Sequence, residues 1–195
     1  MFADAMDDPV RIESRIWNEL QLAPQPGHLW RLPVFGSSGH LRTVVLREVD
    51  VASRTLEFYT DVRSPKIQQL TTDNQCCWLI YDHTHKVQIR LDGSASIHTQ
   101  DEIADQAWIS CPDASRAAWL TPLPPGTVTS ERVISPAPSA ITADNTEQMA
   151  RAREQFCVVR TEIRTVEWLQ LTPTGNSRLR VTYSNDTPRH DWLCP

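Results

Sequence analysis

The most informative part of the sequence begins with RTVVLR at residues 42–47 and continues with LEFYTD at 56–61, RSPK at 63–66 and VQIRLDG at 87–93. The first, second and fourth segments are rich in β-branched, leucine and aromatic residues, which is typical of strands. Cations stand at both ends of the first segment. The residues between Thr60 and Leu70 have instead the character of a helix that begins among basic side chains.

Ser64-Pro65-Lys66 has the pattern of a helix start. Serine is a good N-cap residue and proline suits the first helical position, so we expect the helix to begin there. Lys66 then falls in the first turn, where the helix dipole disfavours a positive charge unless an anion lies beyond the free amides. The position therefore favours a ligand that carries a phosphate, and the alternative is an ordinary solvated surface lysine.

Length, composition and charge limit the class of protein. The chain has 195 residues, 40% of them apolar and 22% charged, as in an ordinary globular protein with one sizeable core. The net charge of -5 argues against nucleic-acid binding, and positive charge is concentrated in residues 42–66 and 151–180, which suits a small anionic ligand. The acidic N-terminus does not resemble a signal peptide, and no apolar run approaches the ~20 residues of a membrane span. We therefore expect a cytoplasmic protein with no nucleic-acid and no membrane partner.

The common metal and nucleotide motifs are missing from the sequence. The five cysteines have no regular spacing, and the adjacent Cys76 and Cys77 are expected to point to opposite faces of a strand. His83-Thr84-His85 would place two imidazoles on one strand face, but its polar surroundings at 82–86 favour a hairpin turn. Neither GxGxxG nor GxxxxGK[ST] occurs. We therefore predict no metal site and no Rossmann or P-loop site.

Periodicity and turn residues predict the elements. Helices are expected at Val10–Leu22, at Ser64–Asp73, at Asp101–Leu120 with a break near Pro112, and at Thr142–Phe156. Strands are expected near 29–35, 41–51, 54–60, 75–82, 86–98, 157–171 and 178–184.

The order of these elements predicts the fold class. Many short strands with a few peripheral helices favour a mainly β (α+β) fold, namely a partly closed antiparallel barrel of Greek-key type. The Pro-rich stretch 121–140 is interpreted as a surface connection, because too little chain follows it to form a second core. We therefore expect a single domain over residues 1–195.

Four motifs match a known family in order and in spacing. The chain resembles the pyridoxamine 5'-phosphate oxidase-like family of FMN-binding split barrels, and more narrowly its oxidase-related branch. The family has an Arg-x-Val-x-Leu-Arg/Lys strand, a Phe-Tyr-Thr strand end, a Ser-x-Lys helix start and a Gln-x-x-x-x-Gly strand. Here these are Arg42–Arg47, Phe58–Thr60, Ser64–Lys66 and Gln88–Gly93. The resemblance is strongest over residues 42–95, and it implies a Greek-key split β-barrel that binds FMN.

The resemblance also implies which residues contact FMN. Arg42 and Lys66 would hold the phosphate, for which arginine supplies a bidentate fork and lysine a point charge. Arg63 would reach the same phosphate, since Pro65 stands where the family often has an arginine. The backbone of 44–46 would lie along the isoalloxazine, with the Gln88 amide at its polar edge. The full predicted set is Arg42, Thr43, Val44, Val45, Leu46, Arg47, Tyr59, Thr60, Arg63, Ser64, Lys66 and Gln88.

One geometric condition applies to the two arginines of the first motif. Arg42 and Arg47 are five residues apart, so a regular strand would point them to opposite faces. Both can meet one ligand only through a bulge or at a strand end.

The substrate side of the family pattern is altered in this chain. Ser115 matches a family serine after the middle helix, and Arg178 takes the first position of an Arg-x-His-Asp-Arg motif. Arg180 replaces the histidine, however, and Thr182 replaces the final arginine. Arg47, Ser115 and Arg178 are therefore the candidates to grip a small anionic substrate. The alteration favours FMN binding over the oxidation of pyridoxamine phosphate itself.

The leading hypothesis is an FMN-dependent oxidoreductase that converts an amine to an aldehyde with oxygen as acceptor. Because the flavin supplies the difficult chemistry, no acidic or basic catalytic side chain is required, and none is assigned. The alternatives are a flavin reductase and a non-catalytic flavin- or haem-binding protein on the same barrel. The resemblance further implies a homodimer with flavin at the interface. The seven tryptophans would supply aromatic surface for it, unless they lie in the monomer core.

Overall fold

The computed structural model describes residues 7–137, 146–184 and 187–195. The chain divides into two compact units, each discontinuous in sequence. The first unit comprises the described residues of Met1–Phe58, Asp73–Ala95 and Arg160–Pro195, and the second those of Tyr59–Thr72 and Ser96–Val159. The single domain over the whole chain stays a prediction.

The helices lie where the periodicity predicts them. Asp8 caps the first helix by accepting hydrogen bonds from the backbone amides of Val10 and Arg11 at 3.0 and 3.2 Å. Residues 142–145 of the last predicted helix lie outside the described residues. In the described part of the chain, no helix has both the length and the apolar character that crossing a membrane requires. The helices are α1 (Pro9–Leu22), α2 (Pro65–Thr72), α3 (Glu102–Ser110), α4 (Asp113–Arg116) and α5 (Thr146–Gln155), with 3₁₀ turns at Leu29–Arg31 and Ala117–Leu120.

The strands form one antiparallel sheet, which confirms the predicted α+β class. The strands are β1 (Val34–Ser37), β2 (His40–Thr43), β3 (Glu48–Asp50), β4 (Thr55–Asp61), β5 (Gln75–Asp82), β6 (Val87–His98), β7 (Phe156–Gln170), β8 (Ser177–Ser184) and β9 (Thr187–Leu193). Their order is β2-β1-β5-β6-β7-β4-β3, and β8 and β9 extend the sheet from β7. The residues 83–86 form the predicted turn between β5 and β6. Cys76 is buried and Cys77 half-buried, as expected for adjacent residues on opposite faces.

Two predicted strands are wrong in their extent. The run 29–35 begins with a 3₁₀ turn, in which the His28 side chain accepts a hydrogen bond from the Trp30 amide at 3.1 Å, and extended pairing starts only after Pro33. The run 41–51 divides into β2 and β3. A two-residue hairpin at Ser38 and Gly39, with φ of 48° and 77°, joins β1 to β2, because both residues occupy the left-handed region that such turns require.

The strand β9 is missing from the prediction. Its sequence TPRHDWL contains a proline and three charged or titratable residues, so it shows no alternation of apolar and polar side chains. Among the strands of the described residues, it pairs with β8 alone and lies at an edge of the sheet, where proline is tolerated. Pairing with β8 therefore determines this strand.

The core of the first unit is aromatic. The rings of Phe35, Phe58 and Trp78 contact one another with centroids 4.8 to 5.7 Å apart. The apolar face of α1 is also buried, through Ile12, Ile16, Trp17 and Leu20. Such rings bury large areas and prefer these tilted contacts, so they stabilise the unit strongly.

A second aromatic group forms the core of the second unit. Phe156 packs against Tyr59, Trp108 and Trp119, with ring centroids 4.9 to 5.2 Å apart. Across the whole chain, Trp17, Trp30, Trp78, Trp119 and Trp168 are buried, whereas Trp192 is half-exposed. Five of the seven tryptophans are therefore buried in the single chain, which fits the core alternative for them, and the dimer interface stays a prediction.

Candidate functional site

In the second unit, a cation and two hydroxyl groups converge at the start of α2. Nζ of Lys66 donates to Oγ1 of Thr60 at 2.8 Å and to Oγ of Ser64 at 2.6 Å. Thr60 and Ser64 are buried, whereas Lys66 is half-buried. An ammonium group and two hydroxyls at the amino end of a helix are donors that suit phosphate oxygens. We refer to Thr60, Ser64 and Lys66 as the Lys66 cluster.

Local sequence explains this geometry. The backbone amide of Arg63 donates to Oδ1 of Asp61 at 2.8 Å, and that of Ser64 donates to the Asp61 carbonyl at 3.0 Å, so the chain turns directly after β4. Pro65 takes the first helical position, as predicted. The Ile67 amide donates to the Ser64 carbonyl at 2.9 Å, which closes the first turn. The turn brings Thr60 of β4 beside Lys66 of α2.

The guanidinium of Arg63 is engaged within the second unit. It donates to both carboxylate oxygens of Asp61 at 3.0 and 2.7 Å, to the Thr121 carbonyl at 2.9 Å and to Oε1 of Gln155 at 2.5 Å. The hydrogen bond to Asp61 raises the pKa of Arg63. This geometry gives Arg63 a structural role, and its contact with a phosphate stays a prediction.

Two further predicted residues of the second unit lie in packed surroundings. The ring of Tyr59 packs against Phe156 at a centroid distance of 5.1 Å and so belongs to the core. Ser115 lies in the single turn of α4, where its backbone amide donates to the Pro112 carbonyl at 2.8 Å. The substrate contact of Ser115 stays a prediction.

In the first unit, the motif that begins with Arg42 crosses the end of a strand. Nη1 of Arg42 donates to Oγ of the buried Ser37 at 3.0 Å, and burial lowers the pKa of Arg42. The strand β2 ends at Thr43. The amides of Val44 and Leu46 then donate to the carbonyls of Pro33 and Arg31, and the amide of Arg47 donates to that of Glu57. Arg42 and Arg47 therefore do not belong to one regular strand. A strand end lies between them, as is required if both arginines are to contact one ligand.

Three other predicted residues of this unit, Gln88, Thr43 and Val45, lie in β6, in β2 and in the segment that follows β2. Gln88 is half-buried in β6 and lies opposite Tyr81 of β5 in the register. Thr43 is opposite Val34 of β1 and is exposed, and Val45 is half-buried in the segment that follows. Their contacts with FMN stay predictions.

The structure also contains a charged cluster that the sequence did not predict. Glu167 of β7 is only 4% exposed, yet it faces three arginines. Its Oε2 accepts a hydrogen bond from Arg178 at 2.6 Å, its Oε1 accepts one from Nε of Arg180 at 2.8 Å, and Nη2 of Arg90 lies 3.4 Å from Oε1. Burial alone would raise the pKa of Glu167, but the bonds from Arg178 and Arg180 and the charge of Arg90 lower it below its ordinary value. We call these four residues the Glu167 cluster.

The Glu167 cluster explains the position of Arg178, the only predicted substrate residue that it contains. Arg178 and Arg180 share one face of β8, and Arg180 is directly opposite Glu167 in the register. Strand alternation could have placed the two arginines on one face. Their pairing with β7 and with Arg90 of β6 depends on long-range register, which sequence periodicity does not reveal.

A comparison with protein families identifies the segment that holds most of the predicted residues. Residues 33–99 match the family described as pyridoxamine 5'-phosphate oxidase, FMN-binding domain. The match contains the four motifs, and FMN is the cofactor of that domain family. A comparison with curated proteins found no match.

Solved structures share the fold at low sequence identity. A pyridoxamine 5'-phosphate oxidase-related, FMN binding protein from Nostoc punctiforme is 18% identical, with a TM-score of 0.69 over 96% of this chain and 98% of its own. PhzG from Burkholderia lata, in complex with tetrahydrophenazine-1-carboxylic acid, is 18% identical, with a TM-score of 0.66 over 98% and 96%. A general stress family protein from Xanthomonas campestris is 15% identical, with a TM-score of 0.54 over 86% and 92%. Residues 33–99 are therefore similar to the FMN-binding domain of pyridoxamine 5'-phosphate oxidase, and the chain as a whole shares its fold with these solved structures.

Proposed function

We propose that the protein binds FMN with its phosphate on the Lys66 cluster and acts as an FMN-dependent oxidoreductase on a small anionic amine. The observation that carries the proposal is the convergence of Nζ of Lys66 with the hydroxyls of Thr60 and Ser64, at 2.8 and 2.6 Å. Both hydroxyls are buried. A phosphate bound there would therefore give up hydrogen bonds to water and gain hydrogen bonds from groups that the protein holds in place. When bound, FMN supplies the hydride acceptor for oxidation of a carbon that bears an amine, and oxygen accepts the electrons afterwards.

The donor set fits a phosphate monoester better than a neutral ligand. Lys66 supplies positive charge, and the two hydroxyls can rotate to donate to phosphate oxygens. The beginning of α2 adds the positive end of the helix dipole. These residues would bind and orient the phosphate end, whereas the contacts of residues 42–47 and of Gln88 with the rest of FMN stay predictions.

The test compares FMN with riboflavin, which lacks the phosphate. The full chain is titrated with each flavin and the quenching of flavin fluorescence is measured. We expect Lys66→Met to weaken FMN binding by roughly 10- to 150-fold, the equivalent of a charge-assisted hydrogen bond of ~1.5–3 kcal/mol. Riboflavin affinity is expected to stay unchanged.

Arg42→Ala is expected to weaken FMN binding by a similar ~1.5–3 kcal/mol.

Lys86→Met is the matched control, because it removes the same charge from an exposed lysine in the turn between β5 and β6. This variant is expected to bind FMN as the wild type does. The proposal is wrong if the wild type does not bind FMN at all, or if Lys66→Met loses FMN and riboflavin equally. An absorption spectrum of the purified protein separates flavin from haem.

The proposed substrate is an amine that carries a carboxylate or phosphate. Arg90, Arg178 and Arg180 place three positive charges around one carboxylate, Glu167, and their side chains are 32 to 42% exposed. PhzG, a protein of the same fold, is in complex with a carboxylic acid. Turnover is measured as hydrogen peroxide formed under air with a panel of amines. Activity on anionic amines but not on their esters or amides would support this part, and retention of FMN without any turnover would refute it.

A homodimer with flavin at the interface forms part of the proposal. Leu41, Leu79 and Tyr81 are 73, 37 and 51% exposed on strands β2 and β5, so apolar surface remains for a second copy. Light scattering with FMN bound measures the mass in solution. A monomer mass at micromolar concentration would contradict this assembly without affecting the FMN titration.

A further inference from the structure

Three side chains of the second unit form a linear hydrogen-bonded chain that the proposed flavin chemistry does not use. Oγ of Ser96 lies 2.7 Å from Nε2 of His98, and Nδ1 of His98 lies 2.7 Å from Oδ2 of Asp101. Ser96 is exposed, and the side chain of His98 is 15% exposed. A hydroxyl, an imidazole and a carboxylate thus follow one another in the order of a serine nucleophile, its base and the group that orients the base.

Secondary structure explains the arrangement. Ser96 and His98 are two residues apart at the end of β6, so their side chains share one strand face. Asp101 is the N-cap of α3, where its Oδ1 accepts a hydrogen bond from the Ala104 amide at 3.0 Å. One carboxylate oxygen is therefore fixed by the helix and the other is directed at the imidazole.

The carboxylate determines the direction of the hydrogen bonds. An ionised carboxylate only accepts hydrogen bonds, so Nδ1 of a neutral His98 must carry the proton. Nε2 then has a lone pair and accepts from the Ser96 hydroxyl. Burial alone would raise the pKa of Asp101, but the Ala104 amide and His98 lower it below its ordinary value, which keeps the carboxylate ionised.

A neighbouring arginine strengthens this arrangement. Arg153 of α5 donates to the Thr99 carbonyl and to Oδ1 of Asp105, both at 2.6 Å. It fixes the segment between His98 and Asp101, and its positive charge favours the ionised form of Asp101. The base is thereby held by a strand, a helix cap and an ion pair.

We propose that Ser96, His98 and Asp101 form a second reactive site, which takes an acyl group from small carboxylic esters. Oγ of Ser96 forms a bond to the ester carbonyl carbon while its proton passes to Nε2 of His98. The bond from that carbon to the leaving oxygen breaks, and the leaving alcohol takes the proton from Nε2. Water then attacks the acyl group with His98 as base, which releases a carboxylic acid and restores the Ser96 hydroxyl.

The exposure of Ser96 defines the substrate class. An exposed hydroxyl is open to small esters with good leaving groups, whereas a large substrate would need an enclosing pocket to orient it. General-base assistance typically contributes ~10²–10⁴-fold, and in this scheme His98 assists both steps. Because only the first step expels a good leaving group, we expect acylation of Ser96 to be faster than its release, with a burst of leaving group.

The experiment uses the full chain, with and without FMN, and p-nitrophenyl acetate as the probe. Release of nitrophenolate is followed by absorbance, and peptide mass spectrometry locates the acetyl group. We expect a burst and an acetyl group on Ser96. The proposal is overturned if Ser96 remains unmodified or if another residue carries the label.

The variants separate the three roles. Ser96→Ala is expected to abolish the burst, and His98→Gln to slow it ~100-fold. Asp101→Asn keeps an oxygen for the helix cap but removes the charge, and is expected to slow the burst ~10-fold or more. Ser94→Ala, which removes a hydroxyl two residues earlier on the same strand, is the control and should react as the wild type does. Equal rates for the wild type and Ser96→Ala would also overturn the proposal.

Discussion

Replacing Glu167 by glutamine tests how much the Glu167 cluster contributes to stability. The carboxylate is 4% exposed and accepts hydrogen bonds from Arg178 at 2.6 Å and from Arg180 at 2.8 Å. Glutamine keeps one acceptor oxygen, replaces the other with a donor that faces an arginine, and removes the charge. The lost charge-assisted bond amounts to ~1.5–3 kcal/mol.

Solvation of the three arginines by water offsets part of this loss of stability. Their side chains are 32 to 42% exposed, so water solvates them when the carboxylate is gone. We therefore expect Glu167→Gln to lower the free energy of unfolding by ~2 kcal/mol, and the melting temperature by roughly 4–8 °C for a chain of this size. Urea unfolding at pH 7, followed by tryptophan fluorescence, measures the change.

The stabilisation by Glu167 is expected to weaken as the pH falls. The folded-state pKa of Glu167 is lower than its ordinary value of 4.5. The contribution of this carboxylate to the free energy of unfolding is therefore complete above pH 4.5 and is lost as the pH falls through the folded-state pKa. The difference in the free energy of unfolding between the wild type and Glu167→Gln should therefore become smaller at acidic pH.

Glu162→Gln, on the exposed face of the same strand, is the control and should change stability by less than ~0.5 kcal/mol. If Glu167→Gln is as stable as the wild type at pH 7, the desolvation cost of the carboxylate cancels its attraction to the arginines, and the reasoning is refuted.

Three other predictions concern backbone packing, thiol reactivity and substrate choice. A Cβ at Gly93 would lie 2.1 Å from the Glu162 carbonyl oxygen, so Gly93→Ala should destabilise the protein by ~3 kcal/mol or more in urea unfolding; stability equal to the wild type would contradict this close approach. Burial raises the pKa of Cys76 to about 11 and that of Cys157 to about 12, so iodoacetamide at pH 8 should label exposed Cys194 first in the folded protein, as peptide mass spectrometry would show. Pyridoxamine phosphate should be a poor substrate because its family motif is altered. A kcat/KM of ~10⁴ M⁻¹s⁻¹ or more under air would show otherwise.

The local features of the protein could be predicted from sequence alone. The apolar spacing of Ile12, Ile16 and Leu20 determines a buried helix face, and α1 lies where that spacing places it. Ser64-Pro65-Lys66 starts α2 because serine and proline suit those positions whatever the rest of the fold does. The cluster around Lys66 could be predicted for the same reason, since its members lie within seven residues of one another.

Features that join distant segments were beyond such prediction. β9 has no apolar alternation and forms by pairing with β8. The run 41–51 divides at 44–47, where backbone amides donate to carbonyls of residues distant in the chain. The family motif predicts that Arg178 contacts a substrate, but it gives no sign of Glu167. Glu167 lies beside Arg178 and Arg180 because β7 and β8 pair in one register. A one-residue shift of that register would move the arginines to the other face of the sheet. The local sequence was enough to predict which short segments could bind a phosphate or turn the chain. The pairing of distant strands establishes which charged side chains meet, because register depends on contacts between residues far apart in the chain.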